Sequence, residues 1–296
     1  MRTGRLPALT IAIAVAAGCA PAAVLYNTIP NPLPPNVVSL GYEATSTAEF
    51  GGLVRMAGSG SSFTLSSATV VMSDWALAAD YESESAGFDQ LLTLTIYGVG
   101  PGDTVGAPIA TRTVNASIPW RPPSDPGCSD DRWLAPNGNC YYGLAVEVSF
   151  DLTGVMIPSE VIYGLSFDTQ NYGANPTGVP GPYNSLNFGL VSTAPSVGSN
   201  PLPGTAYWNT SHAAFYSDGG AAGTGTFRQD TNWPYAGAIE FEGSVPEPAT
   251  LPLFGIALAG LGLLRAQRGA ARTVSRSTHA SQPSTCRRSR TSLSLR

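Results

Sequence analysis

The sequence predicts an all-β protein, an antiparallel β-sandwich of jelly-roll type, on three observations. Apolar residues in the middle of the chain alternate with polar ones at period two, no stretch there sustains a helical period, and Pro- and Gly-rich connections such as "GANPTGVPGPYNS" interrupt the pattern throughout. Composition agrees. Of 296 residues 43% are hydrophobic and 12% charged, with 33 Gly, 25 Pro and no lysine, which excludes a coiled coil, a collagen and a strongly charged disordered chain. The net charge of -5 is unevenly spread: between residues 24 and 245 five Arg stand against 19 Asp and Glu, a balance of -14, while both ends are basic. A body this acidic lacks the cations that neutralise phosphates, so nucleic acid is excluded as a partner.

The first element is an export signal. Arg2 and Arg5 precede an apolar run from Leu9 to Ala17, too short to span a bilayer and of the length of a signal-peptide core. Ala20 and Ala22 occupy the small-residue positions of an A-x-A site, so residues 1–22 read as a signal peptide removed by signal peptidase. The rival reading, lipidation at Cys19, meets Ala16, Ala17 and Gly18 where a lipobox carries a branched apolar residue.

Residues 23–244 read as one exported domain, long enough for its own core. Ala22 to Pro35, rich in proline, reads as an extended lead-in. Strands follow from alternation. Leu92, Leu94 and Ile96 oppose Thr93, Thr95 and Tyr97; Leu144, Val146, Val148 and Phe150 oppose Ala145, Glu147, Ser149 and Asp151; Val161, Tyr163, Leu165 and Phe167 repeat the pattern. Ile239 and Phe241 against Ala238, Glu240 and Glu242 form a closing strand. In "FTLSSATVVMS" the alternation slips at Ser66 and Ser67, as a bulge causes. Weaker strands are expected at 37–44, 107–115, 186–191 and 213–216.

Cys128 and Cys140 bracket the loop "CSDDRWLAPNGNC", where an exported, oxidising setting makes a disulfide the default. Asp125, Asp130, Asp131, Asn137 and Asn139 are hard oxygen ligands that suit calcium, but their spacing is not that of an EF-hand, and ordinary turns explain them better. No cofactor is therefore expected. Trp75, Trp120, Trp133, Trp208 and Trp233 fall near predicted strand ends beside Asn, Asp, Arg and Tyr. A flat ring with polar neighbours is what a sugar-binding surface uses, so Trp120, Trp133, Trp208 and Trp233 are expected ligand contacts, with packing in the core as the competing fate.

Enzymatic residues are scarce. His212 is the one histidine of the body, no G-x-S-x-G elbow occurs, and a His-rich metal site is impossible. A non-catalytic protein with a structural or carbohydrate-binding role is expected. The alternative is a carbohydrate-active enzyme using two carboxylates, for which Glu82, Glu84, Asp89, Glu147 and Asp168 are available.

The last readable element is "VPEPATLPLFGIALAGLGLLRAQR" at residues 245–268. Prolines on both sides of Glu247 remove backbone donors and favour extended conformations, leaving an accessible handle before the helix. Residues 249–264 form an apolar run expected to be a membrane helix, and Arg265 and Arg268 hold the following flank inside by the positive-inside rule. A plain tail anchor is the competing reading. The segment resembles a PEP-CTERM sorting signal, with Pro246, Glu247 and Pro248 as the tripeptide, the apolar run as its helix and Arg265 and Arg268 as its basic flank. The resemblance implies an exosortase-type processing enzyme as partner, a transient inner-membrane anchor, and a final place on the cell surface or in an exopolysaccharide matrix. That family usually stops soon after the basic cluster, whereas residues 269–296 continue as an Arg- and Ser-rich tail expected to be disordered. A genuine extension and a shifted reading frame would each produce such a tail.

Overall fold

The structure, a computed structural model, describes residues 22–42, 45, 47–81, 85–167, 185–209 and 226–244. All of them belong to one unit, Gly18–Pro246. The apolar run of the signal peptide, the sorting segment 245–268, the tail 269–296, Glu82, Glu84, Asp168, His212 and the expected strand 213–216 lie outside the described residues. Among the described residues no helix is long and apolar enough to cross a membrane.

Strands dominate. In chain order they are β1 (Ala23–Asn27), β2 (Val38–Gly41), β3 (Glu49–Arg55), β4 (Ser62–Asp74) and β5 (Gly87–Val99). There follow β6 (Val105–Pro119), β7 (Trp133–Leu134), β8 (Cys140–Tyr141), β9 (Leu144–Pro158) and β10 (Glu160–Ser166). The last are β11 (Leu186–Val191), β12 (Thr205–Asn209), β13 (Arg228–Thr231), β14 (Ala236–Gly237) and β15 (Ile239–Ser244). Every pairing among the described strands is antiparallel.

Two sheets enclose one core. The first joins β1, β15, β4, β11 and β14, with β9 on β4 and β2 on β11; the second runs β13-β12-β3-β10-β5-β6. Their inward residues meet in a single cluster, in which Phe63, Val70, Met72, Phe150, Phe188 and Phe241 of the first sheet face Phe50, Leu92, Leu94, Ile96, Val161 and Tyr163 of the second. This is the expected β-sandwich. Along β9, buried Val148, Phe150 and Leu152 alternate with exposed Glu147, Ser149 and Asp151, as the period-two pattern requires. Against β15, Ser67 and Leu65 oppose the consecutive Glu242 and Gly243, so Ser66 is the extra residue, the bulge the slipped alternation foretold; against β9 the register shifts at the same place, where residues 152–154 oppose Ser66.

The lead-in reading of the N-terminal segment needs correction. Ala23–Asn27 pairs with β15, and Leu25 and Tyr26 are buried, so this segment is a strand of the first sheet and not a linker. Its prolines come after the strand and turn the chain away. The second sheet also departs from simple alternation. On β10, Val161 to Leu165 are all buried, because Ile162 on the outer face packs with Leu53 and Tyr207 in a second cluster that Tyr97, Leu202 and Phe227 cover.

Candidate functional site

Cys128 and Cys140 form a disulfide, with Cα atoms 5.8 Å apart, that closes the loop carrying β7 and β8. Local turns use the loop's oxygens: Asp125 Oδ1 accepts from the Gly127 N–H at 2.7 Å, Asn137 Oδ1 from the Asn139 N–H at 3.0 Å, and Asp130 faces the Arg132 guanidinium at 3.5 Å.

The tryptophans divide by burial. Trp120 is only 8% exposed, its ring 4.8 Å from Phe88. Trp133 is 5% exposed and donates its indole N–H to the Gly143 carbonyl at 2.8 Å. Both expectations of ligand contact are corrected here, since these rings supply core area and offer no open face. Trp208 and Trp233 are half-buried, 5.1 Å apart, and each meets Phe50 edge-on. Trp208 Nε1 donates to Thr47 Oγ1 at 2.7 Å. Trp233 and Tyr235 line a cleft of about 500 Å³ with Ser192, Thr193 and Ser199, where the connections β11 to β12 and β13 to β14 cross between the sheets.

Trp75 behaves differently. It follows β4 directly and remains 41% exposed, yet its polar groups are all engaged: the backbone N–H donates to the Ser185 carbonyl at 3.3 Å, the carbonyl accepts from Arg121 Nε at 2.9 Å, and Nε1 donates to Ser73 Oγ at 3.0 Å. Ser73 in turn donates to Asn36 Oδ1 at 2.7 Å. Tyr142, 40% exposed, stacks on the indole with centroids 5.3 Å apart and planes 12° apart, and the Arg132 guanidinium lies 5.4 Å from the same tyrosine ring. Sequence reasoning missed Tyr142. Its signal was the aromatic pair directly after Cys140, which the disulfide carries back to the end of β4.

Of the acids that sequence offered, Asp89 lies on β5 opposite Ser117. Glu147 lies on the outer face of the first sheet and shares with Glu240 a cleft of about 300 Å³, also lined by Asn27, Asn31, Thr69 and Ser149. Burial first, then the neighbouring Glu242 and Glu147 charges, push the Glu240 carboxyl above its ordinary pKa, opposed by the amide of Asn27, which donates to it.

The domain's last strand, β15, ends at Ser244, where the two-proline segment begins. A family model described as the PEP-CTERM protein-sorting motif matches residues 244–267. The chain therefore carries a PEP-CTERM motif. No curated protein and no solved structure matches the chain. The PEP-CTERM match begins one residue before the segment read from sequence and includes Pro246, Glu247, Pro248 and Arg265. It makes this an exported protein of exosortase-sorted type, anchored transiently in the membrane before surface display. Arg268 lies just beyond the matched range.

Proposed function

We propose that the protein is a non-catalytic component of the cell surface or extracellular matrix whose β-sandwich binds carbohydrate. The surface placement rests on the junction between domain and motif, since β15 finishes at Ser244 and cleavage at Pro246 to Pro248 would release a sandwich with every described strand intact; the exposed Trp75 stacked with Tyr142 supports the carbohydrate-binding part. On this reading the chain is 1–22 signal peptide, 23–244 exported domain, 245–268 sorting segment and 269–296 tail, with signal peptidase and an exosortase-type enzyme as its two processing partners. Residues 249–264 serve as the temporary helix, oriented by Arg265 and Arg268. Mass spectrometry of the surface fraction from a host encoding the processing enzyme tests it. The mature form is expected to end near Glu247; intact residues 249–264 in that form would reduce the segment to a plain tail anchor.

One observation favours a second reading, a secreted carbohydrate-active enzyme. Glu147 and Glu240 share a cleft, and the Glu240 carboxyl has the raised pKa that a general acid needs. Glycan hydrolysis that Glu240→Gln abolishes would put this reading first.

A further inference from the structure

An exposed tryptophan held in place at every polar atom calls for an explanation. Packing does not supply one, because Trp75 remains 41% exposed. Burying more of it would gain about 25 cal/mol for each Å². Nevertheless two hydrogen bonds hold its backbone, and the Nε1–Ser73 bond and the stacked Tyr142 fix the ring. Fixing an aromatic surface before contact lowers the entropy lost when something settles on it.

We infer that Trp75 and Tyr142 form a stacking platform for an uncharged pyranose of an extracellular glycan, an inference that rests on the carbohydrate-binding role proposed above. The carbon-bound hydrogens of one pyranose face match a flat indole on the side away from Tyr142, and Asn36, bonded to the Ser73 that holds the indole N–H, and Arg132, beside Tyr142, supply nearby polar groups for ring hydroxyls. Charge selects among glycans. Arg132 is already paired with Asp130, and the domain carries a balance of -14, so a polyanion is repelled and a neutral chain is not. The disulfide belongs to the same site, because it ties down the segment that brings Arg132 and Tyr142 to Trp75.

The test is affinity electrophoresis and calorimetry on the full chain in detergent micelles, with dextran, amylose and mannan as neutral probes and alginate as the acidic one. Wild-type protein is expected to bind at least one neutral probe with little dependence on salt. Trp75→Ala should weaken that binding at least about tenfold and Tyr142→Ala by less, while Thr193→Trp at the rim of the larger cleft leaves it unchanged. Trp75→Phe keeps a smaller ring, should fold where Ala does not, and should bind at an intermediate level. Binding that survives both Trp75 substitutions would overturn the platform and leave the carbohydrate-binding role standing. No binding to any probe by wild type would overturn that role and the platform together. A preference for alginate would overturn the uncharged class, and a concentration-dependent dimer that Trp75→Ala abolishes would make the face a contact between copies of the chain.

Discussion

Gly51 sits on β3 opposite Gly164 of β10, and a Cβ on it would overlap the Tyr163 carbonyl. The neighbouring backbone cannot yield without disturbing that register, so Gly51→Ala should cost about 1–3 kcal/mol, as overpacking does. Urea unfolding would read this as a lower midpoint at unchanged slope. These glycines also explain why β3 was invisible in the sequence: Gly51 and Gly52 erase the alternation that announced β9. Tryptophan was ambiguous for the opposite reason, because the same ring serves a core or a surface, and local neighbours do not tell Trp120 from Trp75. Glu49 gives a pH prediction. Burial raises its pKa although the Tyr97 hydroxyl donates to it at 2.8 Å, so the folded chain holds this proton to higher pH than the unfolded chain does. Its contribution to stability is present at low pH and is lost as pH rises from the ordinary value of 4.5 to the raised one. Glu49→Gln keeps an acceptor for Tyr97 and carries no charge; its melting temperature relative to wild type should therefore climb across that window, and a constant difference would refute the assignment.

Among elements, those carrying an apolar alternation or run were legible, β10 and β11 included although both are buried on both faces, and those built on glycine or on few apolar residues were not. The bulge in β4, the span of β11 and the closing strand β15 follow from local pattern, whereas β13, "RQDT", has no apolar residue to declare it. The segment before the prolines misled because its composition reads as a linker, yet Val24 and Tyr26 find their partners, Glu242 and Phe241, some two hundred residues later in β15. Loop closure by Cys128 and Cys140 spans 12 residues, and replacing both by Ala should cost about 3 kcal/mol on the chain-entropy model. Thermal unfolding under oxidising conditions would measure it. The same double substitution should weaken neutral-glycan binding, because the loop holds Tyr142 over Trp75.

At the scale of the whole molecule, destination was far more legible than ligand. The sorting motif is written in consecutive residues, so its order survives in the sequence, while the platform draws on Asn36, Ser73, Trp75, Arg132 and Tyr142, which only the fold assembles. Processing should respond to the handle's backbone: Pro248→Ala lets the following helix extend toward Glu247 and should leave precursor in the membrane fraction, visible by immunoblot as an uncleaved band. The position of β15 has a temporal consequence. It lies between β1 and β4, with Ala23 opposite Gly243, so the first and last segments of the domain are immediate neighbours. A chain that leaves the cytoplasm N-terminus first delivers β15 after every other described strand. Until then β1 lacks its partner strand, β4 is unpaired on that side over residues 64–70, and Ile239 and Phe241 are missing from the core. Completion of the first sheet thus comes only as the sorting segment reaches the bilayer, so the domain's two ends are sealed together by the last stretch to be exported.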